Sequence, residues 1–276
     1  MNDTVLFEVK DHIAIITLNR PEVDNVINVP MMEGIKEAVK RVSEDENIRV
    51  AIVTANGNHF CCGFDMNVSG QDIQWNLNTR RARAKEEIDM WMSIWESPKP
   101  FIAAIFGECI GGGTQLPMVA DCLICTEDAR IGNTEMAWGM NYSINFAMDG
   151  YKLPLNKAKE YFLTGRSFTA KELEQMGVAN RVVATKAELM DAAMLLARQM
   201  CEVLPCVVTA NKQVLNFGVE NMGLYQTLAF ARELFGLIRL NGCDASPETE
   251  TYWKECKELG HETALANLIA KKNILI

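Results

Sequence analysis

Two stretches of this sequence carry backbone that could do chemistry. Residues 56–65 (NGNHFCCGFD) place Gly57 and Gly63 directly after an apolar run. Residues 106–115 (FGECIGGGTQ) place Gly111, Gly112 and Gly113 after another, ahead of LPMVA. Glycine just past a strand lets the chain turn sharply with its N–H groups outward. Three glycines entering a helix leave several donors without an intrahelical partner. Each segment alone reads equally well as a tight loop. Together they supply what an oxyanion hole needs, two donors for one carbonyl oxygen, and one such donor is worth roughly 100- to 1000-fold in rate. The second segment is no dinucleotide fingerprint, because taking Gly111 and Gly113 as its first two glycines puts Leu116 at the third. It is no triphosphate loop either, since no Gly-Lys-Ser/Thr follows.

A nucleophile to accompany these donors is missing. The three histidines, His12, His59 and His261, lie in neither a G-x-S-x-G nor an H-E-x-x-H context. His12 opens a strand and reads as structural, whereas His59 sits within the first glycine turn and is a site candidate. Covalent hydrolysis is disfavoured. Among nine cysteines, Cys122 and Cys125 form a lone C-x-x-C. On a strand that spacing puts the thiols on opposite faces, so they read as core residues, and no metal site is expected.

The elements that must position the turns alternate through the first half. Residues 12–18 (HIAIITL), 48–54 (IRVAIVT), 101–106 (FIAAIF) and 122–125 read as strands. Residues 31–42 have helical spacing, with Pro30 at a start where its missing N–H costs nothing. This alternation predicts βαβ units and an α/β fold. From residue 154 the pattern is almost wholly helical, over 157–163, 170–176, 186–202, 206–217, 224–240 and 247–259. Residues 261–276 read as a helix that docks back or packs on a neighbouring subunit. The polar stretch 67–83 (NVSGQDIQWNLNTRRAR) reads as a mobile loop over the site.

Bulk properties narrow the class. The 276 residues, 49% hydrophobic and 23% charged, are those of an ordinary globular protein with a sizeable core. A net charge of -9 argues against nucleic-acid partners. The start, MNDTVLFEVKDH, does not read as a signal peptide, and no apolar run approaches the roughly 20 residues of a spanning helix. No membrane association and a cytoplasmic location are expected.

The motifs then become specific. Residues 18–22 (LNRPE) with Asn25, residues 53–65 (VTANGNHFCCGFD), 99–105 (KPFIAAI), 107–113, 163–165 (LTG) and 177–182 (GVANRV) resemble, in order, the crotonase (enoyl-CoA hydratase/isomerase) superfamily. The match runs over about residues 5–210. The resemblance implies a repeated ββα spiral core over residues 1–205 and a C-terminal helical region, 206–276, that mediates trimerisation into trimers or paired trimers. It also implies acyl-CoA thioester substrates, with coenzyme A entering as part of the substrate and no further cofactor. The oxyanion donors would be the N–H groups of Phe64 and Gly112. Around the substrate it places Glu22, Val23 and Val26 of the loop after the first strand, Cys62, Phe64, Asp65 and Met66 of the first turn, Gly111, and further on Trp138 and Ser143.

Hydrating members of this family use two glutamates. At the first position this chain has Gln115; at the second, twenty residues later, it has Glu135. Gln115 can hydrogen-bond a water or a substrate oxygen but cannot take or give a proton. Glu135 alone can shuttle one proton across an allylic system if burial poises it. The expectation is therefore an enoyl-CoA isomerase or hydratase with Glu135 as acid and base. Other members place an aspartate about eight residues past the second glutamate, where Ser143 stands here. The bulky stretch 140–148 (MNYSINFAM) replaces a glycine-rich one, which points to a branched, cyclic or aromatic acyl group; Trp75, Trp91, Trp95 and Trp138 could line its pocket. The alternatives are a C–C bond hydrolase or decarboxylase of a CoA thioester, and a catalytically degenerate CoA-binding scaffold.

Overall fold

The structure, a computed structural model, describes residues 3–65, 76–133, 135, 136, 144, 148–240 and 247–272. The β-branched runs form strands. β1 (Val5–Lys10) and β2 (Ile13–Leu18) make an antiparallel hairpin in which Val5 faces Leu18 and Lys10 faces Ile13. Its two-residue turn is Asp11 and His12, both left-handed at φ 50° and 68°, which matches the twist of paired strands. His12 therefore belongs to the turn, with Nδ1 2.7 Å from the Asn47 carbonyl oxygen.

β3 (Val50–Ala55), β4 (Phe101–Ile105), β6 (Cys122–Thr126) and β9 (Arg181–Val183) continue from β2 in parallel, giving the order β1-β2-β3-β4-β6-β9. Every residue of β3 and β4 is buried, as expected of a parallel sheet covered on both faces. β5 (Glu108–Ile110), β7 (Arg130–Gly132) and β8 (Ser167–Thr169) form a second, smaller sheet, β5 and β7 parallel and β8 antiparallel to β7.

Between β2 and β3 runs α1 (Val29–Glu44). Asn28 caps it, its side chain accepting from Met31 N, and Met31, Ile35, Ala38, Val39 and Val42 form the buried stripe. The expected mobile loop over residues 67–83 is corrected in its second part: α2 (Leu77–Glu96) starts there, while residues 67–75 lie outside the described residues. Asn76 accepts from the N–H groups of Asn78 and Thr79, and Thr79 Oγ1 accepts from Asn76 N, a closed capping box. The polar first turns hide this helix from a periodicity reading, since its apolar face (Ala84, Met90, Trp91, Ile94, Trp95) begins two turns further on.

α3 (Gln115–Val119) and α4 (Asp149–Lys152) come before residue 154; beyond it the chain is helical as expected, interrupted by the three-residue β8 and β9: α5 (Leu155–Thr164), α6 (Ala170–Gln175), α7 (Lys186–Cys201), α8 (Pro205–Asn221), α9 (Leu224–Leu240), α10 (Pro247–Leu259) and α11 (His261–Lys272). α8 is fastened to the core by Lys212. Its ammonium, 7% exposed, donates to Ile94 O, Lys99 O and Asp121 Oδ2 at 3.2, 3.0 and 2.9 Å. α9 lies along α2, joined by the Arg81–Glu233 ion pair, and α11 folds back on α10. Among the described residues no single helix is long and apolar enough to cross a membrane.

Candidate active site

The first turn leaves the C-terminal end of β3 and is laced to the loop after β2. Asn25, fully buried, donates from Nδ2 to Asn56 O (2.7 Å) and His59 O (2.9 Å) and accepts from Arg20 N (2.8 Å). Cys62 N donates to Asp24 O, Ile27 N to Gly63 O and Asp65 N to Ile27 O, at 3.0, 2.7 and 2.9 Å. The Arg20 guanidinium donates to Val26 O and Asp65 Oδ2 at 2.6 and 3.0 Å, so Arg20 and Asp65 hold the loop in shape between them. Glu22 and Val23 are exposed on that loop, and Val26 and Cys62 are half-buried. His59 Nδ1 accepts from Glu108 N at 3.1 Å; the ring braces the turn against β5.

The second turn is brought to the first by that same pairing. Ile110 N donates to Cys61 O at 2.8 Å, and Cys61 bridges Cys109 in parallel fashion. Gly111–Thr114 then make one tight helical turn running into α3. Gly112, second in that turn, has no partner for its N–H within it. The backbones abut: a methyl group on Gly63 (φ 95°) would lie 3.3 Å from Ile110 O and 3.7 Å from Gly112 N. A methyl group on Gly112 would enter the Phe64 ring, which lies against it. Trp91 is tilted against that ring at 6.0 Å between centroids, and the Arg83 guanidinium lies 5.5 Å from its centre. Arg83 is in turn held by Glu87 Oε1 at 2.8 Å.

Glu135, just past β7, completes the cluster. Its side chain is 7% exposed and presses on Gly111, whose Cα leaves no room for a methyl group beside Oε1. Oε2 has no hydrogen-bond partner among the described residues. Burial pushes the carboxyl up to about 7, opposed only by its own backbone N–H and by Arg239. A group so poised exchanges protons readily near neutrality.

Gln115, 2% exposed, directs Nε2 to Thr114 Oγ1 at 3.4 Å and to Asp149 Oδ2 at 3.3 Å. Asp149, the first residue of α4, is a buried carboxyl that reading the sequence did not find. It is 1% exposed, its Oδ1 lacks a partner among the described residues, and burial pushes it up to about 8. The position eight residues beyond Glu135 holds Ser143, six short of Asp149. The available signal was an acid within residues 147–153 (AMDGYKL), where Met148 and Leu153 are core. Tyr161 of α5 feels both carboxyls, and its hydroxyl takes a 3.5 Å bond from Asn133 Nδ2.

Met66, Trp138 and Ser143 lie outside the described residues, as does Trp75. Trp95 donates from Nε1 to Glu220 Oε1 of α8 at 3.0 Å. Cys125 is fully buried, Cys122 half-buried, and no group of metal ligands occurs among the described residues.

Two abutting glycine turns, a buried glutamate beside them and this sheet order are the arrangement expected of an acyl-thioester enzyme of the crotonase type. Residues 8–241 match the enoyl-CoA hydratase/isomerase family, and the chain belongs to it. It is 32% identical over 237 residues to the (E)-benzylidenesuccinyl-CoA hydratase of Thauera aromatica, covering 85% of this chain and 90% of that protein. It is 33% identical over 199 residues to the enoyl-CoA hydratase EchA19 of Mycobacterium tuberculosis, covering 68% and 73%. Among solved structures, an enoyl-CoA hydratase/isomerase from Xanthobacter autotrophicus Py2 superposes with a TM-score of 0.89 at 29% identity, over 98% of this chain and 99% of that one.

Proposed function

We propose that this acyl-CoA enzyme isomerises or hydrates an enoyl-CoA thioester, with Glu135 as both acid and base. The observation that carries the reading is the Glu135 carboxyl: buried, pressed on Gly111, one oxygen unpartnered among the described residues, and raised to about 7. For isomerisation, its carboxylate takes the α-proton of a 3-enoyl thioester. The dienolate oxygen accepts from Phe64 N–H and Gly112 N–H, and the same proton returns at the γ-carbon. For hydration, Glu135 takes a proton from water as the hydroxide adds at the β-carbon, and the enolate is then protonated at the α-carbon.

The acyl group is branched, cyclic or aromatic in this proposal. Support comes from the bulky stretch 140–148 and from the Thauera relative, whose name specifies a benzylidenesuccinyl thioester. CoA would lie along Glu22, Val23 and Val26 and beside Cys62 and the turn at Phe64, Asp65 and Met66, with Trp138 and Ser143 lining the acyl end. No cofactor besides the thioester's own CoA is invoked. A panel of linear, branched, cyclic and aromatic enoyl-CoA thioesters, with products identified by mass spectrometry, tests this directly. Products with a cleaved C–C bond, or no turnover of any member, would sink it.

We further propose a homotrimer, or a dimer of trimers, assembled through the region 206–276. Supporting this are Val214, Leu215 and Phe217 on α8, Met222 after it and Phe230 on α9, all more than 60% exposed. A row of large apolar side chains this exposed is normally covered in the working protein.

A further inference from the structure

The Gln115 amide is held by a definite set of donors and acceptors. Thr114 Oγ1 commits its hydrogen to Gly111 O at 2.8 Å, so towards Gln115 it can only accept. Gln115 Nε2 donates to it at 3.4 Å and to Asp149 Oδ2 at 3.3 Å. Both hydrogens of the amino end are then used, and no described residue donates to Gln115 Oε1. Reversing the amide would set its carbonyl oxygen against Thr114 Oγ1, whose hydrogen is already given to Gly111 O.

Asp149 is an unusual choice for this place. It is 1% exposed with Oδ1 unpartnered among the described residues, a costly arrangement to retain without return. Lys152, one turn on, gives its ammonium to Ala120 O at 2.6 Å.

We propose that Asp149 is a positioning residue for the reaction: by accepting from Gln115 Nε2 it keeps the Gln115 carbonyl oxygen turned to the reacting water or substrate hydrogen. This rests on Glu135 being the proton carrier. The two residues then divide what two glutamates do elsewhere in the family. Glu135 moves the proton and Gln115, oriented by Asp149, fixes the geometry. The groups around Asp149 are Lys152 on its own helix, Gln115 from α3, Tyr161 from α5 and, across Tyr161, Glu135. With burial raising it to about 8, the acid is neutral at pH 7 and places no charge against a developing enolate. Above pH 8 a carboxylate forms there and the rate falls.

The test uses the whole protein, turnover of the enoyl-CoA thioester that the substrate panel identifies, and exchange of the α-protons of the corresponding saturated acyl-CoA in D2O. Asp149→Leu removes the acceptor; kcat drops about tenfold or more while KM stays within about threefold. Asp149→Asn keeps an acceptor of the same shape, holds the rate within about threefold at pH 7, and loses the alkaline limb near 8 while retaining the limb near 7 that belongs to Glu135. The double variant Asp149→Leu, Gln115→Leu is no slower than Gln115→Leu alone. An Asp149→Asn protein as slow as Asp149→Leu, or single losses that multiply in the double variant, overturns the proposal. If Asp149→Leu does not fold, Asp149→Asn and its pH profile decide alone. A wild-type protein whose turnover and exchange on these thioesters survive Glu135→Gln overturns the reading of Glu135, and this inference with it.

Discussion

Replacing Glu135 by Gln should move activity and stability in opposite directions, and the second movement can be sized from the site. In the folded protein the carboxyl is raised from 4.5 to about 7 by burial. The folded state therefore binds more protons than the unfolded state between those values, so this group's contribution to stability falls as pH rises through that window. At about 1.4 kcal/mol per pH unit, the wild type loses on the order of 3 kcal/mol at this one residue between pH 4 and pH 8. Gln cannot ionise and does not pay it. Any fixed cost of burying its NH2 is the same at every pH and cancels from the comparison. Urea melts of both proteins at pH 5 and pH 8.5 should show the variant gaining about 2–3 kcal/mol on the wild type at the higher pH. Its turnover should fall by roughly 100- to 10,000-fold, with acyl-CoA binding little changed. A stability difference that is flat with pH would mean that Glu135 titrates normally and is not held in a desolvated site. Retained turnover would remove it from the chemistry.

Other perturbations test other parts. Gly111→Ala places a methyl group where Glu135 Oε1 lies, at a left-handed φ of 56°; about 2 kcal/mol of stability and about 100-fold in kcat should be lost, read by melts and initial rates. Lys212→Met leaves Asp121 without its buried partner and frees two carbonyls, which should cost about 3–5 kcal/mol in denaturant melts. Phe217→Glu, on the exposed face of α8, should shift the species in analytical ultracentrifugation from a multiple of 30.9 kDa towards that mass if that face joins subunits.

Legibility in the sequence followed the reach of the interactions. The long central strands and most helices were visible because their signal is local: α9 and α10 begin and end where the apolar periodicity does, and β3 and β4 fall within a residue or two of the runs read at 48–54 and 101–106. Both glycine turns were equally plain, since only glycine tolerates their backbone and close approach. α2 was misread at its start because a capping box on polar residues, Asn76 and Thr79, looks like a loop until the apolar face appears at Ala84. Short strands such as β5, β7 and β8 carry no periodicity in three residues and are defined by their pairing in one small sheet. Asp149 was invisible for a related reason. Nothing near it in the chain predicts its meeting with Gln115, 34 positions away; a distant contact, not a motif, makes it part of the site. Trp95 took the commoner place of a tryptophan, buried in the core with its indole bonded to Glu220.

The packing around Phe64 has an optical consequence. Trp91, 2% exposed, sits 6.0 Å from the Phe64 ring, and the Arg83 charge lies on the same ring. Indole emission responds to nearby charge and to the freedom of its surroundings. A thioester oxygen drawing on the Phe64 N–H would bring a new dipole beside the ring that the indole touches, and the emission would register it. The protein thus carries its own fluorophore against the proposed donor, so occupancy of the site can be followed with acyl-CoA compounds that never turn over.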